Sequence, residues 1–217
     1  MKTTIQSPTG TERASVHIGG VRVDILTFEE AVEAVLDRCL QGGPPAYVVT
    51  PNAQHVCLFN RDAEFRQCYS NAFLSVADGV PLLWASRMVS NALPERVNGT
   101  DLVVALCREA AKANLKVFFL GGRPGAAERA SELIKSWHPN LTIDHCCPPY
   151  GFEQDPELAK SVMEQIRCAN PDLLFVGLGA PKQELWMEQN CSRTSVPVSL
   201  GIGGSFELIA GMIPRAP

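Results

Sequence analysis

No stretch of this chain approaches the roughly 18 consecutive apolar residues that a membrane-spanning helix needs. An integral helical membrane protein is therefore not expected, and peripheral attachment stays open. Positive charge is not in excess either: 19 Lys and Arg against 23 Asp and Glu give a formal charge of −4 and a pI near 5.6. Without a broad cationic field, wrapping of DNA or RNA is disfavoured, and any polyanion must be met locally. Residues 1–15, with Ser7, Pro8, Thr9 and Gly10, lack the apolar core of a secretory signal and read as a flexible leader. The eight cysteines lack the close spacing of a disulfide framework. Cys39, Cys57, Cys68, Cys107 and Cys168 fall in helical patterns and read as reduced, mostly buried small hydrophobes of a cytosolic protein. His145, Cys146 and Cys147 adjoin one another, but neighbouring side chains of a strand point to opposite faces, which disfavours a zinc site.

What is present is an α/β pattern. A chain of 217 residues with 46% apolar content can build a full core. Residues 16–26 alternate apolar and polar about Gly19-Gly20, the signature of a two-residue β-hairpin at the edge of the fold. Thr27 with Glu30 forms a capping box before an apolar helical stripe that stops near Gly42-Gly43. Strands are expected at 46–50, 73–77, 117–120 and 141–145. Helices are expected from Pro51-Asn52 towards Tyr69, from Thr100 and Asp101 through Ala113, over 126–137, and from the Asp155-Pro156 cap to Cys168. This alternation predicts a Rossmann-like, mostly parallel sheet with helices on both faces. No linker, low-complexity tract or repeat interrupts it, so residues 16–217 read as a single domain.

The most informative segment is residues 171–186, PDLLFVGLGAPKQELW. An apolar strand runs into Gly177 and Gly179, where the backbone can turn tightly, and Pro181 supplies a φ suited to a helix start. Residues 198–209, VSLGIGGSFELI, repeat that logic. The amides of such turns suit an anion, and loops after parallel strands form the ligand crevice, so Thr50, Asp78, Gly121, Gly177 and Gly201 are expected to share one cleft. A nucleotide or sugar-nucleotide enzyme follows. A nicotinamide-dependent oxidoreductase is one rival, weakened because neither glycine pair completes G-x-G-x-x-G with an acidic residue about 20 positions on. A non-catalytic sugar-nucleotide-binding module is another.

TPNAQHV (50–56), ADGVPLLW (77–84), ERVNGTDL (95–102), FFLGGRPG (118–125), PDLLFVGLGAPKQELW and GIGGSFELIAGMIPRAP together resemble the WecG/TagA/CpsF family of bacterial glycosyltransferases. The resemblance implies metal-independent transfer, with inversion, from a UDP-sugar to a polyprenyl-diphosphate-linked saccharide at the cytoplasmic membrane face, in cell-wall or surface polysaccharide synthesis. No cofactor is implied, and the sequence has no DxD motif. The resemblance also implies a basic and apolar tail beyond Arg215-Ala216-Pro217 as the source of membrane attraction, so weak activity is expected without it. Work at a membrane surface is compatible with a homo-oligomer.

Roles follow on the matching positions. Asp78 is the candidate general base, ionised at an ordinary pKa near ~3.9; the alternative is a plain helix cap. Thr50 and Asn52 can orient a sugar or phosphate, or simply make a turn. Lys182 can meet a phosphate and Gln183 a sugar or uracil, while Glu184 favours the positive end of the helix dipole; the alternative for all three is an exposed first turn with routine dipole matching. Gly122, Gly179, Gly203, Gly204 and Ser205 are expected to line the nucleotide. Phe206 packs against the base or in the core, and Glu207 accepts from ribose hydroxyls. Arg96 and Asn98 are assigned to the diphosphate.

Overall fold

The computed structural model describes residues 13–89 and 92–214. Most of the expected leader, and all of Arg215-Ala216-Pro217, lie outside the described residues. Strands β1 (Ser15–Ile18) and β2 (Val21–Asp24) pair antiparallel with Ile18 opposite Val21, and both turn glycines have positive φ, as a two-residue loop demands. Parallel strands then follow: β3 (Ala46–Val49), β4 (Leu74–Ser75), β5 (Lys116–Gly121), β6 (Thr142–Cys146), β7 (Leu173–Gly177) and β8 (Val198–Gly201). They lie in the order β4-β3-β8-β7-β5-β6. This is the α/β sheet with an N-terminal hairpin that the sequence predicts.

The helices are α1 (Phe28–Gln41), α2 (Ala53–Arg61), α3 (Ala63–Asn71), α4 (Val80–Ser86), α5 (Gly99–Ala113), α6 (Ala126–Trp137), α7 (Pro156–Ala169), α8 (Lys182–Thr194) and α9 (Ser205–Ile209). The Thr27/Glu30 capping box forms as expected. The single helix expected from Asn52 to Tyr69 is instead two. Asp62, with extended φ and ψ, donates its N–H to Leu58 to close α2 and accepts from Glu64 and Phe65 to open α3. The strand expected over 73–77 shrinks to the two residues of β4.

The strands β3, β5 and β7 feed two cores, because successive side chains point to opposite faces. Val48, Val117, Phe119, Phe175 and Leu200 face α1, α5, α6 and α9. Tyr47, Val49, Phe118, Leu120, Leu174 and Val176 face α3, α7, α8 and the hairpin. That double burial is why the strands read as unbroken apolar runs. The hairpin also covers the short edge strand: Ser75 donates its N–H to Asp24 Oδ2 at 2.8 Å and its hydroxyl to the Arg22 carbonyl at 2.6 Å. Of the cysteines, Cys39, Cys68, Cys107 and Cys191 are buried, whereas Cys57, Cys147 and Cys168 are exposed; all are free thiols. Among the described residues no helix is long and apolar enough to cross a membrane.

Candidate active site

The carboxyl ends of β5, β7 and β8 open into a cleft of about 760 Å³. The strand ends meet there because their glycines permit it. Gly122 donates its N–H to the Gly177 carbonyl at 2.8 Å, and a Cβ at Gly121 would lie 2.8 Å from that same oxygen. Beneath this floor lies Phe206, fully buried and stacked on Phe119 with ring centroids 4.6 Å apart. A Cβ at Gly177 would come within 2.9 Å of the Phe206 ring, so the floor and the core touch directly. The far wall is the loop after β6, Cys147-Pro148-Pro149-Tyr150-Gly151-Phe152-Glu153.

A second group of residues forms beside the cleft, at the ends of β3 and β4. Asp78 Oδ1 accepts from Asn98 Nδ2 at 2.9 Å, and the carboxylate also accepts the Gly99 N–H. The Asn98 carbonyl oxygen caps α5 by accepting from Thr100 and Asp101, so one amide serves the helix and the acid together. Burial pushes the Asp78 carboxyl up to about 6, against the opposing pull of the Gly99 N–H, the Arg96 charge and Asn98. Gly99 lies between this acid and the β8–α9 loop: a Cβ there would sit 3.8 Å from Asp78 Oδ2 and 3.6 Å from Ser205 Oγ. Gly203, Gly204 and Glu207 of that loop line the cleft.

The sequence-predicted residues therefore divide. Gly121, Gly122, Gly177, Gly179, Lys182, Gly203, Gly204 and Glu207 line the cleft. Thr50, Asp78 and Gly201 do not: the buried Thr50 hydroxyl donates to the Gly201 carbonyl at 2.9 Å and locks the ends of β3 and β8 side by side, while Asp78 is held by Asn98 and the Gly99 N–H. Asn52 caps α2 through Gln54 and His55 and packs on Gly79. The plain cap alternative fails for Asp78, since α4 is capped by Gly79 with no side-chain bond. Its ordinary pKa is also corrected, by desolvation. Arg96 is exposed and acts on Asp78 by charge.

Other expectations are corrected by hydrogen bonding. Gln183 is buried, accepts from the Gly203 N–H at 2.9 Å and donates to Glu184 at 2.8 Å. It staples the two glycine turns rather than facing the cleft. Glu184 is buried instead of exposed, and burial pushes its carboxyl up to about 7. Ser205 turns inward, donating to the Ile202 carbonyl and accepting from Thr100 Oγ1. Phe206 takes its core alternative. The amides of Gly122 and Gly203, expected to meet an anion, are spent on these internal bonds. Lys182 stays at the rim, 3.4 Å from Glu153 Oε1 and 3.4 Å from the Tyr150 ring centroid. Glu207 accepts from the Arg123 N–H at 2.8 Å while its Oε2 is buried without a partner.

Two contributors escaped the sequence reading. Arg123 lines the cleft as an exposed cation, and its place in GGRPG after β5 was the available signal. In the CCPPYGFE wall the available signal was Pro148-Pro149, a pair that marks a loop. Among the described residues no group of three or more His, Cys, Asp and Glu is arranged to hold a metal.

Comparison with known proteins adds to this geometry. The model of the Glycosyl transferase WecG/TagA/CpsF family matches residues 16–217. Proteins from Staphylococcus aureus strains NCTC 8325 and MRSA252, each called N-acetylglucosaminyldiphosphoundecaprenol N-acetyl-beta-D-mannosaminyltransferase, are 30% identical over 205 residues. The aligned region covers 94% of this chain and 79% of each relative.

Proposed function

Because the chain belongs to the WecG/TagA/CpsF family of glycosyl transferases, we propose that it transfers a sugar from a UDP-sugar to a polyprenyl-diphosphate-linked saccharide, with inversion and without a metal. It works as a peripheral protein at the inner face of the cell membrane, in cell-wall or surface polysaccharide synthesis. Family membership sets the oxidoreductase reading aside. The observation that carries the mechanism is the Asp78 carboxylate, held by Asn98 and the amino terminus of α5 beside a glycine-floored cleft.

The nucleotide diphosphate occupies the cleft, with Glu207 Oε2 as acceptor for a ribose hydroxyl and Arg123 and Lys182 meeting the phosphates. The acceptor hydroxyl approaches Asp78, which takes its proton as the oxygen attacks the anomeric carbon on the face opposite the departing UDP. With a carboxyl pushed up to about 6, Asp78 is mostly ionised at pH 7 yet more basic than an ordinary aspartate. Charge leaving on the β-phosphate is neutralised by the two cleft cations. Thr50 and Gln183 act at one remove, holding the turns that carry these groups.

The test is a screen of UDP-sugars for UDP release in the presence of an undecaprenyl-diphosphate N-acetylglucosamine acceptor, with and without EDTA. UDP-N-acetylmannosamine comes first, since it matches the sugar in the relatives' name. Acceptor-dependent, EDTA-resistant release that Asp78→Asn abolishes supports the reading. Tight UDP binding with no transfer from any donor would sink it in favour of a binding module.

A further inference from the structure

The helix that leaves Asp78 is apolar on its outer side. α4 begins two residues after Asp78 and turns Leu82 and Ser86 inward, where Ser86 Oγ accepts from the Leu93 N–H at 3.0 Å. Outward it shows Val80 and Trp84, and the helical turn continues to Met88, whose N–H donates to the Ala85 carbonyl. These three side chains are spaced by four and share one side. Trp84 is 63% exposed, Met88 88% and the adjoining Val89 44%. Four of the ten large apolar side chains exposed among the described residues fall within 80–89, so they form a patch rather than the scatter expected of any surface. Residues 79–94 hold no Asp or Glu, and the one charge in that segment is Arg87.

We propose that the outer side of α4 rests in the headgroup layer of an anionic bilayer, with Arg87 at the phosphates, and so presents Asp78 to an acceptor held in the same leaflet. This rests on the reading of the protein as a transferase acting on a lipid-linked acceptor. Indole and thioether side chains flanked by arginine suit that layer, where a ring prefers an apolar body and a wet edge. Lying flat, the stretch from Val80 to Met88 lays roughly 12 Å of helix along the surface at 1.5 Å per residue, and helices in that position sink about 5–10 Å. With α4 flat on the membrane the patch is buried, and Asp78, two residues before the helix, is held close to the bilayer surface. A second copy of the chain fits less well: four such side chains make a patch of a few hundred Å², against about 800 Å² per partner in a stable interface.

Flotation with vesicles of equal parts phosphatidylglycerol and phosphatidylethanolamine tests this on the whole chain. The wild-type protein floats. Trp84→Ser/Met88→Ser loses about tenfold or more of its vesicle-bound fraction, and Arg87→Glu loses part of it at low salt. Leu133→Ser/Trp137→Ser, on the exposed side of α6, leaves flotation unchanged. Equal thermal midpoints show that all variants fold. Failure of the wild type to float, or equal flotation of the α4 and α6 variants, overturns the proposal. So does a dimer in sedimentation velocity that the α4 variant abolishes while flotation persists, which would give the patch to a second copy. Flotation needs no donor, so α4-dependent flotation without transfer from any UDP-sugar would remove the transferase reading and leave the membrane surface standing.

Discussion

Replacing Asp78 by Asn should make the protein inactive and, at neutral pH, more stable. The carboxyl is raised from 3.8 to about 6, chiefly by burial. Two units at 1.36 kcal/mol each place the burden of ionising it in the folded state at about 3 kcal/mol as an upper bound. The sign follows from linkage: between the unfolded and folded pKa values the native state binds the extra proton, so stability falls as pH rises from about 4 through 6 and the loss is complete above it. Asn carries no charge and keeps an acceptor for Asn98, but it weakens the Gly99 N–H bond, leaving a net gain of roughly 1–2 kcal/mol at pH 8. For a chain of this length that is a rise of roughly 2–8 °C in Tm. Meanwhile loss of a positioned base lowers kcat by about 10²–10⁴-fold, and wild-type kcat/KM should climb with pH to a plateau with its half-point near 6. Scanning calorimetry at pH 4.5 and 8, beside UDP release, reads both effects. An Asp78→Asn protein that melts lower than wild type at pH 8, or that transfers at the wild-type rate, refutes the reasoning.

Phe206→Ala removes the buried ring beneath Gly122 and Gly177; it should destabilise by about 3–5 kcal/mol and weaken UDP binding in calorimetric titration although the ring touches no ligand. Gln183→Leu leaves the Gly203 N–H and Glu184 Oε1 without their partner. A loss of about 1–3 kcal/mol per stranded group follows, with UDP affinity falling in parallel; unchanged affinity would show that the staple does not shape the cleft. Arg123→Ala should raise the Kd for UDP about tenfold at low salt, with the gap narrowing as ionic strength rises.

The alternation of strands and helices was legible because buried parallel strands carry long apolar runs and their ends carry glycine. The capping box at Thr27 and the Asp155 cap were legible for the same local reason: a side chain bonding an amide two or three residues on leaves a fixed spacing. What sequence spacing does not encode is direction. Ser205 and Phe206 follow the glycines of a ligand-facing turn, yet the first turn of α9 points both inward. Gln183 lacks any cap role along the chain, which made it look free, whereas its partner Gly203 is 20 residues away. Thr100 and Asp101 looked like the start of α5, but the capping amide is Asn98, whose second bond to Asp78 is long-range. Asp62 broke a helix with no proline or glycine to announce it.

The side-chain seal over β4 bears on how copies of this protein can meet. A sheet whose last strand offers bare amides is a template for another strand, and here the outward N–H of Ser75 already belongs to Asp24 while Arg22 holds the Ala72 carbonyl. Growth of the sheet past that margin is blocked by chemistry rather than by bulk. Loss of the seal, as in Asp24→Ala, would strand the buried Ser75 N–H at a cost of about 1–3 kcal/mol and open that margin to aggregation at high concentration.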